Sequence, residues 1–94
     1  MNKITFALIT LNEEKNLERC IKSFIEISKS IILVDSFSTD KTIEIAKKYK
    51  AQILQNKFIN FGDQWNYLIN NSEINTEWIF KIDPDEELTK EFKT

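Results

Sequence analysis

Residues Ile4–Ile9 read ITFALI, a near-continuous apolar run built largely from residues that favour strands. A strand with one face in water alternates apolar and polar side chains. A strand covered on both faces does not, and this run does not. It predicts a strand inside a sheet that carries helices on both faces. Working outward, three further segments have strand character: IILVD (Ile31–Asp35), AQILQ (Ala51–Gln55) and WIFKID (Trp78–Asp83). Between the first two, Leu17, Cys20, Ile21, Phe24 and Ile25 recur at helical spacing, with Asn12 as the expected cap and Glu13 and Glu14 in the first turn. A second helix is expected after the polar turn Ser36–Thr39, capped by Ser38, Thr39 or Asp40, with Ile43, Ala46 and Tyr49 inward. Asn56–Gly62 reads as a loop, and Asp63–Asn71 as a third helix burying Trp65, Leu68 and Ile69. The order β-α-β-α-β-α-β predicts the α/β class: a Rossmann-like parallel sheet with flanking helices. Rossmann and flavodoxin strand orders both satisfy it.

Composition sets the outer bounds. Ninety-four residues with 41% hydrophobic and 30% charged side chains suit one small folded unit. The net charge of −2 gives no basic field for nucleic acid. There is no His, and the single Cys20 excludes an internal disulfide and thiolate clusters; it sits on an apolar helix face and reads as core. No apolar run reaches the ~20 residues of a membrane span, and the first residues lack a signal-peptide pattern. A cytoplasmic setting is the simplest expectation; membrane association of a longer parent through a lipid acceptor would leave no trace here. A further helix is expected to begin at Glu87-Leu88-Thr89, and Trp78–Asp83 to leave one sheet edge without a partner, so the chain is expected to be the first part of a larger domain.

Open parallel sheets bind ligands beyond the carboxyl ends of their strands, where strand order reverses. Three strand ends carry chemistry: Thr10, Asn12 and Glu13 after the first, Asp35 after the second, and Asp83-Pro84-Asp85 after the fourth. In an extended segment residues i and i+2 point the same way, so Asp83 and Asp85 are expected to face one hard cation such as Mg2+ or Mn2+. The bland reading is a solvated acidic loop. Residues 1–50 carry a net +2 and residues 51–94 a net −4, with four of the later acids between Asp83 and Glu87. Such crowding favours a counterion. Asp35 has two readings: it caps its own turn, or it accepts from a base N–H or a ribose hydroxyl. Thr10 and Asn12 read locally as turn and cap residues, and Trp65 and Tyr49 as core.

Taken together, TFALITLNEEKNLERCIKS, LVDSFSTDKT and WIFKIDPDEEL resemble family 2 glycosyltransferases of the GT-A fold. The nearest likeness is to the subgroup that includes lipopolysaccharide-core glucosyltransferases, with motifs of the form T-x-N-E, V-D-S-x-S-x-D-x-T and W-x-x-x-x-D-x-D-E. FGDQWNYLI, carrying Asn66, resembles a segment of the same subgroup. The resemblance implies the N-terminal, donor-binding half of such a fold. Carried over by position, Thr10, Asn12 and Glu13 line the nucleotide pocket and Asp35 contacts the base. Asp83 approaches the ribose or the metal through water, Asp85 binds the metal, and Gln64 and Asn66 lie near the sugar-phosphate side. Trp65 stands where relatives often carry a basic residue. The implied donor is a nucleotide-sugar, UDP-linked by preference. The implied acceptor is a glycan or lipid, and the catalytic base is expected downstream of Thr94, so that these residues alone are expected to be inactive.

Two rivals remain. Haloacid dehalogenase-type phosphatases also place D-x-D after an apolar strand, but there it follows the first strand, and Glu87 stands where they usually carry Thr or Val. A structural fragment that self-associates through its open sheet edge is the other.

Overall fold

A computed structural model describes residues 3–88. Seven elements follow in strict alternation: β1 (Ile4–Thr10), α1 (Leu17–Phe24), β2 (Ile31–Asp35), α2 (Thr42–Lys48), β3 (Gln52–Gln55), α3 (Phe61–Asn71) and β4 (Trp78–Lys81). The strands form one parallel sheet in the order β3-β2-β1-β4. This is the Rossmann order, and it settles the choice that the sequence left open. The chain winds outward from β1 through β2 to β3, then returns across the sheet to place β4 on the other side of β1.

That reversal divides the core. On one face Phe6 and Leu8 of β1 and Ile31 and Leu33 of β2 meet Leu17, Cys20, Ile21 and Phe24 of α1 and Ala46 of α2. On the other, Ala7, Ile32 and Val34 meet Leu68 of α3. Alternate residues of β1 and β2 thus feed opposite layers, which is why both strands read as unbroken apolar runs. Phe6 and Phe24 stack with ring centroids 4.0 Å apart, and Phe80 tilts against Phe6 at 5.5 Å. Phe6 and Phe24 are fully buried, and each contributes about 1.5–3 kcal/mol. The Cys20 thiol is held at about 12, mainly by burial and then by the charges of Glu86, Asp83, Asp85 and Glu87; it stays protonated and inert.

Several expectations need correction. Asn12 does not cap α1: its backbone is left-handed (φ 53°) and its side chain crosses to the next loop. Asp40 does serve the start of α2, accepting from the Thr42 N–H at 2.9 Å. On that helix Ile45 packs on the main core where Ile43 was expected. Helix α3 begins at Phe61, two residues before the expected start, with the Asn60 side chain accepting from the Asp63 N–H at 2.8 Å. Its buried stripe is Gln64 and Leu68, Trp65 is half-buried, and Ile69 is 50% exposed. Strand β4 ends at Lys81 and lies at the edge of the sheet among the described residues, with Trp78 67% exposed. The helix expected from Glu87 onward lies largely outside the described residues.

Candidate functional site

All four strands run the same way, so their carboxyl ends share one rim. Thr10 of β1 pairs in register with Asp35 of β2, and Asp35 with Gln55 of β3. On the far side of β1, Ala7 pairs with Lys81, which places Asp83 beyond the end of β4 on the same rim. Asp35 and the Asp83-Pro84-Asp85 segment therefore flank β1 at one end of the sheet.

The β1 and β2 ends are bound to each other. Asp35 is fully buried, and its carboxylate accepts from Thr10 Oγ1 (2.7 Å), Ser38 Oγ (2.6 Å) and the Ser38 N–H (2.8 Å). Asn12 Oδ1 accepts from the Thr39 N–H at 2.8 Å, and the Asn12 N–H donates to Ser38 Oγ at 2.8 Å. The Glu13 N–H donates to Thr42 Oγ1 (2.8 Å) and the Glu14 N–H to Asp40 Oδ2 (3.1 Å). The motif-like residues Thr10, Asn12, Asp35, Ser38, Asp40 and Thr42 thus spend their polar atoms on one another. Asp35 thus caps its own turn. Two non-glycine residues here, Asn12 (φ 53°) and Phe37 (φ 55°), hold left-handed backbone. For Phe37 this is a genuine outlier, costing on the order of 1–3 kcal/mol, of the sort that gathers at functional sites.

The β3 end joins through Gln64. Its buried amide donates to Ser36 Oγ (3.1 Å) and to the Asn56 carbonyl (3.0 Å), and accepts from Asn56 Nδ2 at 2.9 Å. Gln64 therefore ties α3 to two strand ends and faces inward. Asn66, two residues on, is exposed.

The β4 end is different. The Glu86 N–H donates to the Asp83 carbonyl at 2.9 Å, and the Asp83 N–H donates to Glu86 Oε1 at 2.9 Å. This closes a turn over residues 83–86, with Pro84 buried at its second position, where its fixed φ suits the bend. The segment is not extended, so alternation does not align the two carboxylates as the sequence suggested. They remain electrostatically coupled. Local burial, then the charges of Glu86 and Asp85, raise Asp83 above the usual carboxylate range. Among the described residues the one salt bridge is Lys48–Glu18, so no basic side chain of those residues neutralises the turn. Nor does any group of three or more His, Cys, Asp or Glu converge there as a ready metal site. Asp83 and Asp85 are both exposed and offer hard oxygen atoms of the kind that Mg2+ or Mn2+ takes.

A cleft of about 220 Å³ opens on the rim, lined by Ile9, Thr10, Leu11, Glu13, Ser36, Phe58 and Phe61. It brings together Thr10 and Glu13 from the expected set; Asn12, Asp35, Gln64, Asn66, Asp83 and Asp85 are not part of its lining. Leu11 and Ser36 directly follow the ends of β1 and β2, where ligand contacts were sought, but Phe58 and Phe61 were not expected. The available signal was an unusual density of aromatic residues in the polar loop before α3. A larger hollow of about 610 Å³ lies on the outer flank of α1, against Glu18, Arg19, Lys22, Ser23, Glu87 and Leu88, and touches none of the strand ends.

Residues 5–94 match the family model for glycosyl transferase family 2. The chain belongs to that family. It is 37% identical over 91 residues to an uncharacterised glycosyltransferase of Rickettsia bellii, covering 97% of this chain and 30% of that protein. It is 32% identical to the lipopolysaccharide core biosynthesis glycosyltransferase LpsC of Rhizobium meliloti, covering 88% of this chain and 32% of the other. Among solved structures, S. aureus TarS superposes with a TM-score of 0.78 at 25% identity, over 96% of this chain and 29% of that one. Glucosyl-3-phosphoglycerate synthase from Mycobacterium tuberculosis, solved with UDP, superposes at 0.69 with 26% identity, over 90% and 34%; that enzyme has also been solved with Mn2+ and UDP together. The family 2 chain described here thus spans about a third of the length of the relatives it matches, and its fold is that of a GT-A glycosyltransferase. Family membership leaves no place for the phosphatase reading.

Proposed function

We propose that these residues form the donor-binding part of a family 2 glycosyltransferase, taking a UDP-sugar together with Mg2+ or Mn2+. The observation that carries the reading is the meeting of Thr10, Glu13 and Ser36 around one cleft, on the same rim as the unneutralised turn at Asp83–Glu86. Asp85 and Asp83 hold the cation, which when bound supplies Lewis-acid neutralisation of charge on a departing diphosphate. Asp35, Asn12 and Gln64 hold the loops in place, and Asn66 lies toward the sugar-phosphate side. In the longer protein the sugar passes to a cell-surface glycan or lipid acceptor, activated by a general base downstream of Thr94. The likeness to LpsC supports a lipopolysaccharide acceptor, and a cytoplasmic protein peripheral to the inner membrane face suits it. By this reading the 94 residues alone bind the donor without transferring the sugar. Calorimetric titration with UDP in the presence and absence of MnCl2 tests it: binding that depends on the metal supports the reading, and no heat under either condition refutes it.

One observation favours a second property. Trp78 and Ile79 are exposed on β4, which lies at the edge of the sheet formed by the described residues. Self-association through that edge is expected to show in light scattering and to fall on Ile79→Lys.

A further inference from the structure

The donor reading gives the turn at Asp83–Glu86 a cation to hold and leaves open what keeps the turn in place until one arrives. Four carboxylates sit within residues 83–87, and no basic side chain of the described residues pairs with them. Mutual repulsion would spread such a segment into water. In this protein it is tied down. Ile82, Pro84 and Leu88 are buried, while Asp83, Asp85, Glu86 and Glu87 are exposed. Ile82 and Leu88 enter the same core as Leu17, Cys20 and Phe24 of α1.

Hydrogen bonds fix the segment at both ends. Upstream, the Ile82 N–H donates to the Ala7 carbonyl of β1 at 3.1 Å, and the Cys20 thiol donates to the Asp83 carbonyl at 3.5 Å. Downstream, the Leu88 N–H donates to Ser23 Oγ at 2.9 Å. The Ser23 hydroxyl gives its own proton to the Cys20 carbonyl at 2.6 Å, so it is a lone pair that meets Leu88. That bond is buried, which raises the cost of leaving the Leu88 N–H unpaired. Cys20 and Ser23, three residues apart, share one face of the helix. Helix α1 thus spends two inward positions on small polar groups that reach the acidic segment.

We propose, resting on the donor reading above, that Ser23, with Cys20 beside it, is a positioning residue for the cation: α1 clamps the acidic turn at both ends and holds the Asp83 and Asp85 carboxylates at the rim before metal and diphosphate arrive. Neither residue touches the cation or the donor. Ordering the turn in advance removes a cost that binding would otherwise carry.

The fold supplies a matched control. Ser28 is 3% exposed, and its hydroxyl donates to the Ile4 carbonyl at 2.7 Å and accepts from the Ser30 N–H at 3.1 Å, at the opposite end of the sheet. Ser23→Ala and Ser28→Ala therefore delete the same kind of bond pair, one beside the acidic turn and one at the start of β1. Two readouts are taken on the 94-residue protein below the onset of melting. One is amide exchange, without metal, of Glu86, whose N–H closes the turn on the Asp83 carbonyl. The other is calorimetric titration with UDP in MnCl2. Groups that hold metal ligands from outside typically cost about ten- to a hundredfold in metal affinity when removed. Ser23→Ala is expected to speed Glu86 exchange and to weaken Mn2+-dependent UDP binding about tenfold, the low end because Ser23 holds backbone and not a carboxylate. Ser28→Ala is expected to lower the melting temperature and leave both readouts unchanged. Ser23→Thr keeps the hydroxyl, with the hollow on the α1 flank beside it to take the methyl, and is expected to restore both. Should Ser23→Ala fail to fold, Cys20→Ala carries the same test: it removes the upstream tie and is expected to move both readouts the same way, and no change overturns the proposal. If Ser23→Ala leaves both readouts as they are, or Ser28→Ala weakens UDP binding equally, the clamp is wrong and the donor reading stands. If Ser23→Ala speeds exchange yet UDP binds as before, the clamp does not position the cation and the proposal again falls. If the unsubstituted protein binds no UDP in MnCl2, the donor reading falls and takes the proposal with it.

Discussion

The β1–β2 end of the rim and the β4 end solve opposite problems. At the first, a buried carboxylate, Asp35, is satisfied by Thr10 and Ser38, and Asn12 bridges to the Thr39 backbone. At the second, Asp83, Asp85, Glu86 and Glu87 crowd one turn, and no basic side chain of the described residues pairs with them. One end carries its counter-groups within the chain and is finished on folding. The other is left electrostatically open. On the proposed reading the first half sets the geometry, and a cation would complete the second.

The sharpest way to break that contrast is Asp35→Ala. It leaves the Thr10 and Ser38 donors buried beside a cavity, and is expected to cost about 2–4 kcal/mol. For a domain this size each kcal/mol lowers the melting temperature by about 4–8 °C, so the loss should be plain in a thermal melt. Asn12→Ala is expected to cost less, about 1–2 kcal/mol, because it removes a more exposed acceptor and forces a Cβ residue to keep a positive φ. Asn12→Gly, which loses the bridge but accepts the backbone, should fall between Ala and the unsubstituted protein; equal melting for Ala and Gly would show that the side-chain bridge, and not the backbone, sets the cost.

At the β4 end the pattern should invert. Asp85→Ala is expected to change stability by less than about 0.5 kcal/mol, or to raise it slightly by easing like-charge repulsion. Its effect should appear instead as at least a tenfold loss of Mn2+-dependent UDP affinity, read by calorimetry. The smallest effect is expected away from both ends, where Glu18 of α1 accepts from Lys48 Nζ and Tyr49 Oη of the α2 segment, each at 2.6 Å. Those bonds hold the Glu18 carboxyl down to about 2 from an ordinary 4.5. A group whose folded value is depressed stabilises above its unfolded value, and that stability is lost as pH falls from about 4.5 toward 2. Glu18→Gln should therefore flatten the acid limb of a stability-versus-pH curve and leave the neutral plateau almost unmoved, since the pair lies at the surface.

What the sequence disclosed follows from which physical signals are local. The unbroken apolar runs of β1 and β2 announced strands covered on both faces because burial on two sides leaves no alternation to hide. The strand order stayed open because β3 can lie outside β2 or on the far side of β1 without changing any local pattern. Asn12 was misread because asparagine is equally at home as a helix cap and in left-handed backbone, and only the position of the Ser38–Asp40 loop decides between them. Asp83 and Asp85 were expected on an extended strand end. Pro84 instead took the second position of a turn, where its fixed φ is equally at home. Gln64 was expected near ligand, and its burial could not be read from a polar side chain on a helix whose start was placed two residues late. Phe58 and Phe61 passed as loop residues because their meeting with Leu11 and Glu13 is made by the topology alone.

The most direct measurement is the anomalous scattering of manganese in crystals of the protein grown with MnCl2 and UDP. The expected map has one manganese peak beside the Asp83 and Asp85 carboxylates, with the nucleotide reaching from there into the cleft at the β1 end. A manganese held away from that turn, or a nucleotide lodged against the outer flank of α1, would contradict the division of the rim into a finished half and an open one.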